Sequence, residues 1–213
     1  MHEIDIGISI KNNCLRIYHT FGKHEIEEHV DRVAKRAAVI GRQYGIMNDE
    51  IEIASYLHDI SGITKKEYYS RMAKEEGIEV LSEEEKYPLL MHQKISKDIA
   101  DKCFGIKSKE ILSAIECHTT LKGSASVFDM VLFISDKLDW DQSGDPPWRR
   151  IIENGLDVSI EEATYRYIEY QIMKKEKLLV VHPWLENAYR YFRSKEIAEQ
   201  SLQPDNPACH DSC

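Results

Sequence analysis

Six histidine and aspartate residues have the types and the order along the chain that a divalent metal site requires. They are His29, His58, Asp59, His92, His118 and Asp136. Imidazole nitrogens and carboxylate oxygens suit iron, manganese, zinc and related ions, and the five cysteines include no C-x-x-C pair. The His58–Asp59 doublet alone is weak evidence, because the polar C-terminal residues hold a second such pair, His210–Asp211. The prediction therefore depends on the complete set.

Asp59 is the natural bridging ligand, since one carboxylate can offer an oxygen to each of two ions. Two ions about 3.5–4 Å apart can hold a hydroxide and clamp phosphate oxygens through an in-line displacement. They would lower the pKa of a bound water towards roughly 7, which removes the need for a separate strong base. The set thus predicts hydrolysis of a phosphoanhydride or phosphoester bond, with Asp59, His92 and His118 nearest the reaction.

The elements that must position these residues are predicted to be helices. Apolar residues recur at helical spacing over most of the chain, and only 10 glycines and 6 prolines occur among 213 residues. All six candidate ligands fall on the inward faces of their helices. Burying a bare imidazole or carboxylate is costly unless it is paired or coordinated, so such groups in one interior imply a shared cation. The predicted fold class is all-α.

Local signals predict the boundaries of these helices. Gly45 is placed to end the helix that carries His29, and Asn48 to cap the next one. A turn is predicted at 143–148, followed by helices near 159–176 and 184–200. The organisation expected is an N-terminal helical extension (1–20), a metal-binding core (21–142), C-terminal helices completing the same domain (143–202) and a disordered tail (203–213).

Structural explanations compete with some of these assignments. The histidines outside the doublet could each be a core histidine bonded to a backbone carbonyl. Asp129 lies on nearly the same helix face as Asp136, although a role as a helix cap suits it better. The acidic run Glu83–Glu85 is expected on a solvated face.

Composition narrows the partners and the location. The net charge is −9 and the pI is near 5.5, so a surface that binds the phosphate backbone of a nucleic acid is not expected. A small nucleotide remains compatible, because a metal supplies positive charge locally. No segment has the roughly 20 apolar residues of a membrane helix and the N-terminus does not resemble a signal peptide, so a cytoplasmic protein without membrane contact is predicted. A homodimer is left open.

Five segments resemble the successive motifs of the HD phosphohydrolase superfamily: EEHVDRVAKRAAVIG, ASYLHDIS, LLMHQKIS, AIECHTT and LFISDKLD. The resemblance spans about residues 20–190 and is greatest to the YqeK-type symmetrical bis(5'-nucleosyl)-tetraphosphatases, which bind iron. It implies an all-α fold and cleavage of diadenosine tetraphosphate into two ADP. It also implies roles for particular residues: a first iron at His29, His58, Asp59 and Asp136, a second metal or phosphates at His92 and His118, and nucleotide contacts at Thr119 and at His182 in VVHPW.

Four positions depart from the pattern of that family, and each lacks an expected cation. The residues present are Ile26, Gly62, Met130 and Gln142. A tetraphosphate carries about four negative charges, so these losses count against it as the substrate unless other cations compensate. The candidates for compensation are Lys65, Lys122, Lys137, Arg149 and Arg150. Two alternatives stay open: an HD hydrolase of another nucleotide, such as a nucleoside monophosphate, and a catalytically silent module that binds metal and nucleotide for regulation.

Overall fold

The computed structural model describes residues 3–139 and 144–202, with side chains for 10–139 and 144–196. Its α-helices are α1 (Glu3–Thr20), α2 (His24–Arg42), α3 (Asn48–Leu57), α4 (Tyr69–Glu75), α5 (Ser82–Lys86), α6 (His92–Lys102), α7 (Lys109–Cys117), α8 (Val127–Lys137), α9 (Arg149–Leu156), α10 (Ile160–Met173) and α11 (Pro183–Leu202). Short 3-10 turns lie at Ile60–Ile63, Lys66–Tyr68, Pro88–Met91 and Lys175–Lys177. The described ranges contain no strand, which confirms the all-α prediction. The tail 203–213 lies outside them.

One apolar core holds the helices that carry the candidate ligands. Helix α2 packs against α3 and α8, and α7 packs against α6 and α8. Fully buried side chains such as Leu57, Ile115 and Phe133 fill the space between them. Burying each of these contributes about 1.5–3 kcal/mol, so the backbone around the ligands is firmly supported. None of the described helices has the combined length and apolar character needed to cross a bilayer.

The connection from α2 to α3 confirms one predicted boundary residue and corrects another. Gly45 has a φ of +71°, and the N–H groups of Gly45 and Ile46 donate to the carbonyls of Arg42 and Gly41 at 3.4 and 3.0 Å. This paired bonding closes the end of α2 in the way that glycine favours. The prediction that Asn48 caps α3 is wrong, because Met47 occupies the cap position and no side chain bonds the first turn.

The C-terminal helices include one element that the sequence pattern did not predict. Helices α10 and α11 lie close to their expected ranges, but α9 follows directly after the predicted turn at 143–148. Helix α9 approaches α10 closely at Gly155, where an added Cβ would lie 2.4 Å from the Cα of Ala163. Since the obstructing atom belongs to the backbone, a larger residue at 155 would push the two helices apart.

The run Glu83–Glu85 is only partly solvated, so the expectation for it is wrong at Glu84. That side chain is fully buried, and its carboxylate accepts bonds from the Leu81 N–H and from Lys94 Nζ, both at 2.8 Å. His182 Nε2 lies 3.4 Å from its other oxygen. A carboxylate removed from water needs such partners. Lys94 and His182 are 10 and 98 positions from Glu84 in the chain, so no local sequence pattern reveals these contacts.

Candidate metal centre

Three of the four candidate histidines are oriented by the same local device. The ring Nδ1 of each donates to the backbone carbonyl three residues earlier, at 2.6 Å for Ser55–His58, 2.6 Å for Leu89–His92 and 2.8 Å for Ile115–His118. His58 and His118 directly follow the last residues of α3 and α7, where carbonyls lack helical partners. Because Nδ1 donates, the proton of each neutral ring is fixed there and Nε2 presents a lone pair to the centre.

His29 is oriented differently, by a side chain that the sequence analysis did not assign. Its Nδ1 donates to Asp139 Oδ2 at 2.6 Å, and Asp139 in turn accepts two bonds from Arg32, at 2.8 and 3.0 Å. A carboxylate bonded to the outer nitrogen of a histidine is the usual support for a metal-binding imidazole. The available signal was that Asp139 follows Asp136 by three residues, a spacing that brings side chains together on a helix, although α8 itself ends at Lys137.

The Nε2 atom of His29 lies in a compact group of donor atoms, here called the first sub-site. It is 3.2 Å from His58 Nε2, 3.2 Å from Asp136 Oδ1 and 3.8 Å from Asp59 Oδ2. His58 Nε2 lies 3.6 Å from the same Asp59 oxygen and 3.8 Å from Asp136 Oδ1. Four residues of the predicted set therefore meet at one point.

A second group, here called the second sub-site, meets the other oxygen of Asp59. His92 Nε2 and His118 Nε2 lie 3.4 and 3.5 Å from Asp59 Oδ1 and 2.9 Å from each other. The hydroxyl oxygen of Thr119 is 3.0 Å from His92 Nε2. Asp59 thus stands between two ligand groups and offers one oxygen to each, which is the arrangement expected of a bridging carboxylate.

The donor atoms fit divalent cations. Bonds of about 2.1 Å to nitrogen and oxygen place neighbouring ligand atoms about 3.0–3.4 Å apart in octahedral or tetrahedral geometry, and the separations here run from 2.9 to 3.8 Å. Since both rings donate through Nδ1, the lone pairs of His92 Nε2 and His118 Nε2 oppose each other unless a cation lies between them. His118 is 1% exposed and the side chain of His92 is 16% exposed, so solvent gives little relief. The structure thus contains a His/Asp cluster with the chemistry of a metal centre.

The two sub-sites differ in their affinity for protons. Burial disfavours a charge on His29, but hydrogen bonds to Asp136 and Asp139 outweigh it and raise the pKa to about 10. Burial lowers the pKa of His118 to about 4 despite the nearby Asp59. Burial also opposes ionisation of Asp59 and Asp136, but their interactions with the neighbouring His58 and with Lys137, respectively, hold both pKa values below their usual range. Both carboxylates are therefore available as ligands at neutral pH.

A cleft of about 720 Å³ opens beside the first sub-site. It is lined by His29, Asp59 and Asp136, together with Glu25, Ile26, Glu28, Arg32, Lys137, Asp139 and Trp148. Lys137 Nζ lies 2.6 Å from Asp136 Oδ2, whereas Arg32 is bonded to Asp139. Acidic side chains outnumber basic ones in this cleft, so any anionic ligand depends on bound cations.

The predicted nucleotide residues lie in different surroundings. Thr119 adjoins the second sub-site, and its N–H donates to the buried Gln93 at 3.0 Å. His182 is 2% exposed and contacts Glu84, while its Nδ1 accepts the Trp184 N–H at 3.1 Å. These bonds favour a structural role for His182 in its turn, and its contact with nucleotide stays a prediction. Gln93 was not among the sequence candidates.

The rival aspartate and the candidate compensating cations are also placed. Asp129 is buried and forms a capping box with Ser126, which supports the capping role considered for it. Lys122 contacts Ser113 and Asp129 rather than the centre, and Arg149 pairs with Asp145 and Glu153. Lys137 alone among these candidates lines the described cleft beside the first sub-site.

Two of the four positions that lack an expected cation, Ile26 and Gly62, lie in contact. A Cβ added to Gly62 would lie 2.5 Å from Ile26 Cδ1, so the isoleucine side chain occupies the space above the glycine. Met130 is buried in the apolar core, away from solvent. Gln142 lies outside the described residues. The wall formed by Ile26 and Gly62 is therefore apolar and uncharged.

The sequence of this chain is similar to a known family and to known proteins. Residues 26–141 match the family model of the HD domain. An uncharacterized protein in the pepC 5' region of Lactococcus lactis subsp. cremoris is 39% identical over 140 residues, which cover 66% of this chain and 71% of that protein. A symmetrical bis(5'-nucleosyl)-tetraphosphatase of Staphylococcus aureus is 25% identical over 157 residues, covering 72% of this chain and 76% of that enzyme.

A solved structure has the same fold. The crystal structure of a predicted HD superfamily hydrolase involved in NAD metabolism, from Clostridium acetobutylicum, superposes with a TM-score of 0.77 at 20% sequence identity. The superposition covers 86% of this chain and 97% of that one. At this identity the likeness concerns the fold alone.

Proposed function

We propose that this chain, which belongs to the HD domain family, is a metal-dependent phosphohydrolase that cleaves diadenosine tetraphosphate symmetrically into two ADP. One observation carries the proposal of hydrolysis: Asp59 presents one oxygen to the first sub-site and the other to the second. The substrate is proposed from the likeness to the Staphylococcus aureus enzyme, whose name describes symmetrical cleavage of a bis(5'-nucleosyl) tetraphosphate.

The residues of the centre would share the work as follows. His29, His58, Asp136 and Asp59 would hold one divalent ion, with iron favoured, and His92, His118 and Asp59 a second. Bound ions would supply a water of lowered pKa and positive charge against the phosphate oxygens. Lys137 Nζ lines the cleft and contacts Asp136, and it would exchange that contact for a phosphate oxygen when Asp136 binds an ion. Thr119 would donate its hydroxyl to the phosphate nearest His92.

A second candidate function is hydrolysis of a nucleoside monophosphate. The apolar contact between Ile26 and Gly62 and the acidic lining of the cleft at Glu25 and Glu28 favour a substrate with fewer negative charges. Such a substrate would need only the ions and Lys137 as partners.

A panel of nucleotides tests both candidates. Protein loaded with iron or manganese is incubated with diadenosine tetraphosphate, diadenosine triphosphate, ATP and AMP, and the products are separated by chromatography. Two equivalents of ADP from diadenosine tetraphosphate support the favoured function, whereas ATP plus AMP contradict it. Release of adenosine from AMP with no cleavage of the tetraphosphate supports the second candidate. Tight binding without turnover of any nucleotide would identify a silent regulatory module.

A further inference from the structure

A second depression, here called the lysine groove, lies beside the cleft of the metal centre. It has a volume of about 590 Å³ and is lined by Lys23, Gly62, Thr64, Lys65, Lys66, Glu67, Tyr69 and Leu89. Three lysines therefore face one glutamate, in a protein whose net charge is −9. This local excess of positive charge contrasts with the acidic cleft and indicates an anionic ligand.

The lysines of this groove are free to bind a ligand. Within the part of the chain that the structure describes, Lys23, Lys65 and Lys66 form no ion pair or hydrogen bond through their ammonium groups. Other lysines near the centre are engaged: Lys137 contacts Asp136, and Lys122 contacts Asp129. Lys65 and Lys66 are exposed and Lys23 is half-buried, so all three can reach a ligand without breaking an internal contact.

The groove is joined to the second sub-site through its lining residues. The carbonyl of Leu89 accepts the ring Nδ1–H of His92 at 2.6 Å, and the N–H of Gly62 donates to the carbonyl of Asp59 at 2.9 Å. Tyr69 donates to the carbonyl of Ser61, whose hydroxyl bonds the carbonyl of His92. Two ligands of the centre are therefore attached to the groove by direct hydrogen bonds.

Ile26 separates the groove from the cleft. Its side chain lines the cleft, and its Cδ1 lies above Gly62, which lines the groove. The metal centre thus has an acidic cleft next to the first sub-site and a basic groove next to the second, with one flexible side chain between them.

We propose that the lysine groove binds the phosphates that lie beyond the scissile bond, on the side of the nucleotide substrate that leaves from the second sub-site. The inference rests on the proposed function. Cleaving a tetraphosphate in the middle leaves two phosphates on each side, so each half needs its own partners. The cleft and its ions serve one half, and Lys65, Lys66 and Lys23 serve the other. The groove thereby supplies the positive charge that the Ile26–Gly62 wall lacks.

The test compares two doubly substituted proteins with the wild type. Lys65→Gln/Lys66→Gln removes charge from the groove. Lys175→Gln/Lys177→Gln removes the same charge from an exposed turn outside it. Binding of inorganic tripolyphosphate and of orthophosphate to the manganese-loaded proteins is measured by calorimetry, with excess Mg²⁺ so that the probe does not extract the metal. Circular dichroism checks that each variant is folded.

We expect the groove variant to bind tripolyphosphate about tenfold more weakly, as two solvent-screened charge contacts are lost. Orthophosphate affinity should change less than about twofold, since one phosphate is held at the ions and does not reach the lysines. The variant at 175 and 177 should match the wild type for both probes. Equal affinities for tripolyphosphate in all three proteins, or equal losses in both variants, overturn the proposal.

The outcome is separable from that of the proposed function. If the groove variant loses tripolyphosphate binding while the wild type releases no ADP from diadenosine tetraphosphate, the groove binds polyphosphate and the substrate assignment fails. If the wild type releases ADP but the groove variant binds tripolyphosphate normally, the function stands and the groove assignment fails. In an active enzyme, the groove substitutions should raise KM for the tetraphosphate and alter kcat far less.

Discussion

The two sub-sites of the metal centre share Asp59, and His58 of the first is held by a backbone carbonyl as His92 and His118 are, but His29 is positioned by different means. In the second, His92 and His118 are oriented by backbone carbonyls three residues earlier. In the first, His29 lies within α2, where the backbone carbonyls already accept helical hydrogen bonds. It is oriented instead by Asp139, which follows the end of α8.

This difference gives His29 a higher affinity for protons than His118. A carbonyl partner fixes the tautomer of a neutral ring and adds no charge, whereas the carboxylates around His29 favour its protonated form. Without metal, the ring of His29 is therefore doubly protonated at neutral pH, whereas the ring of His118 is neutral. An ion entering the first sub-site must displace a proton from His29, while His118 already presents a lone pair.

The largest expected effect comes from removing the residue that both halves share. Asp59→Ala should abolish binding of both ions and lower turnover at least about 1,000-fold, because the charge stabilisation supplied by the ions is worth several kcal/mol. Elemental analysis and nucleotide assays measure the two losses. Circular dichroism should show unchanged helical content. Asp101→Ala, on the surface, is the control, and an Asp59→Ala protein with full metal content would contradict the shared-ligand arrangement.

A substitution that affects only one half sharpens the comparison. Asp139→Asn keeps the size of the side chain but removes the charge that holds His29 and pairs with Arg32. Loss of such a supporting carboxylate costs about 10–100-fold in metal affinity. We expect that loss at one ion only, seen as one weakened and one unchanged step in a metal titration. Equal weakening of both steps would show that the two halves are not independently supported.

Much of this centre was predictable from the sequence, and the remainder depended on distant contacts. The candidate ligands lie on apolar helical faces, so their convergence followed from helical periodicity. The support of His29 by Asp139 joins positions 110 apart, and nothing in the local pattern pairs them. The same limit explains the burial of Glu84. Helix α9 was missed because it is short and directly follows a proline-rich turn.

The pH dependence of stability should differ between the halves in the metal-free protein. The raised pKa of His29 contributes stability that is complete below about 6.5 and is lost as the pH rises towards 10. The lowered pKa of His118 acts in the other direction, so stability falls as the pH drops from about 6.5 to 4.

Melting temperatures of chelator-treated protein across this range test the assignment. Each pKa unit corresponds to about 1.4 kcal/mol, or roughly 3–6 °C in melting temperature for a chain of this size. His29→Gln should flatten the alkaline side of the profile and His118→Gln the acidic side. An alkaline side unchanged in His29→Gln would remove the basis for a protonated first sub-site.

The smallest effect is expected where the cleft meets the lysine groove. Gly62→Ala forces the tip of Ile26 to move, because the new Cβ would lie 2.5 Å from its Cδ1. We expect a loss of about 1 kcal/mol in unfolding free energy, which should vanish or reverse in an Ile26→Ala background. Urea denaturation of the four proteins gives the coupling energy. Additive effects would mean that the two residues are not in contact.

The buried ion pair of Lys94 and Glu84 has a consequence for the C-terminal third of the chain. Lys94 follows His92 by two residues on α6, and Glu84 connects it to His182 immediately before α11. Through Glu84, the segment that precedes α11 is therefore linked to α6, the helix that begins at His92 of the second sub-site. A truncation or a charged substitution near residue 182 would therefore leave His92 less firmly positioned, although no candidate ligand itself is changed.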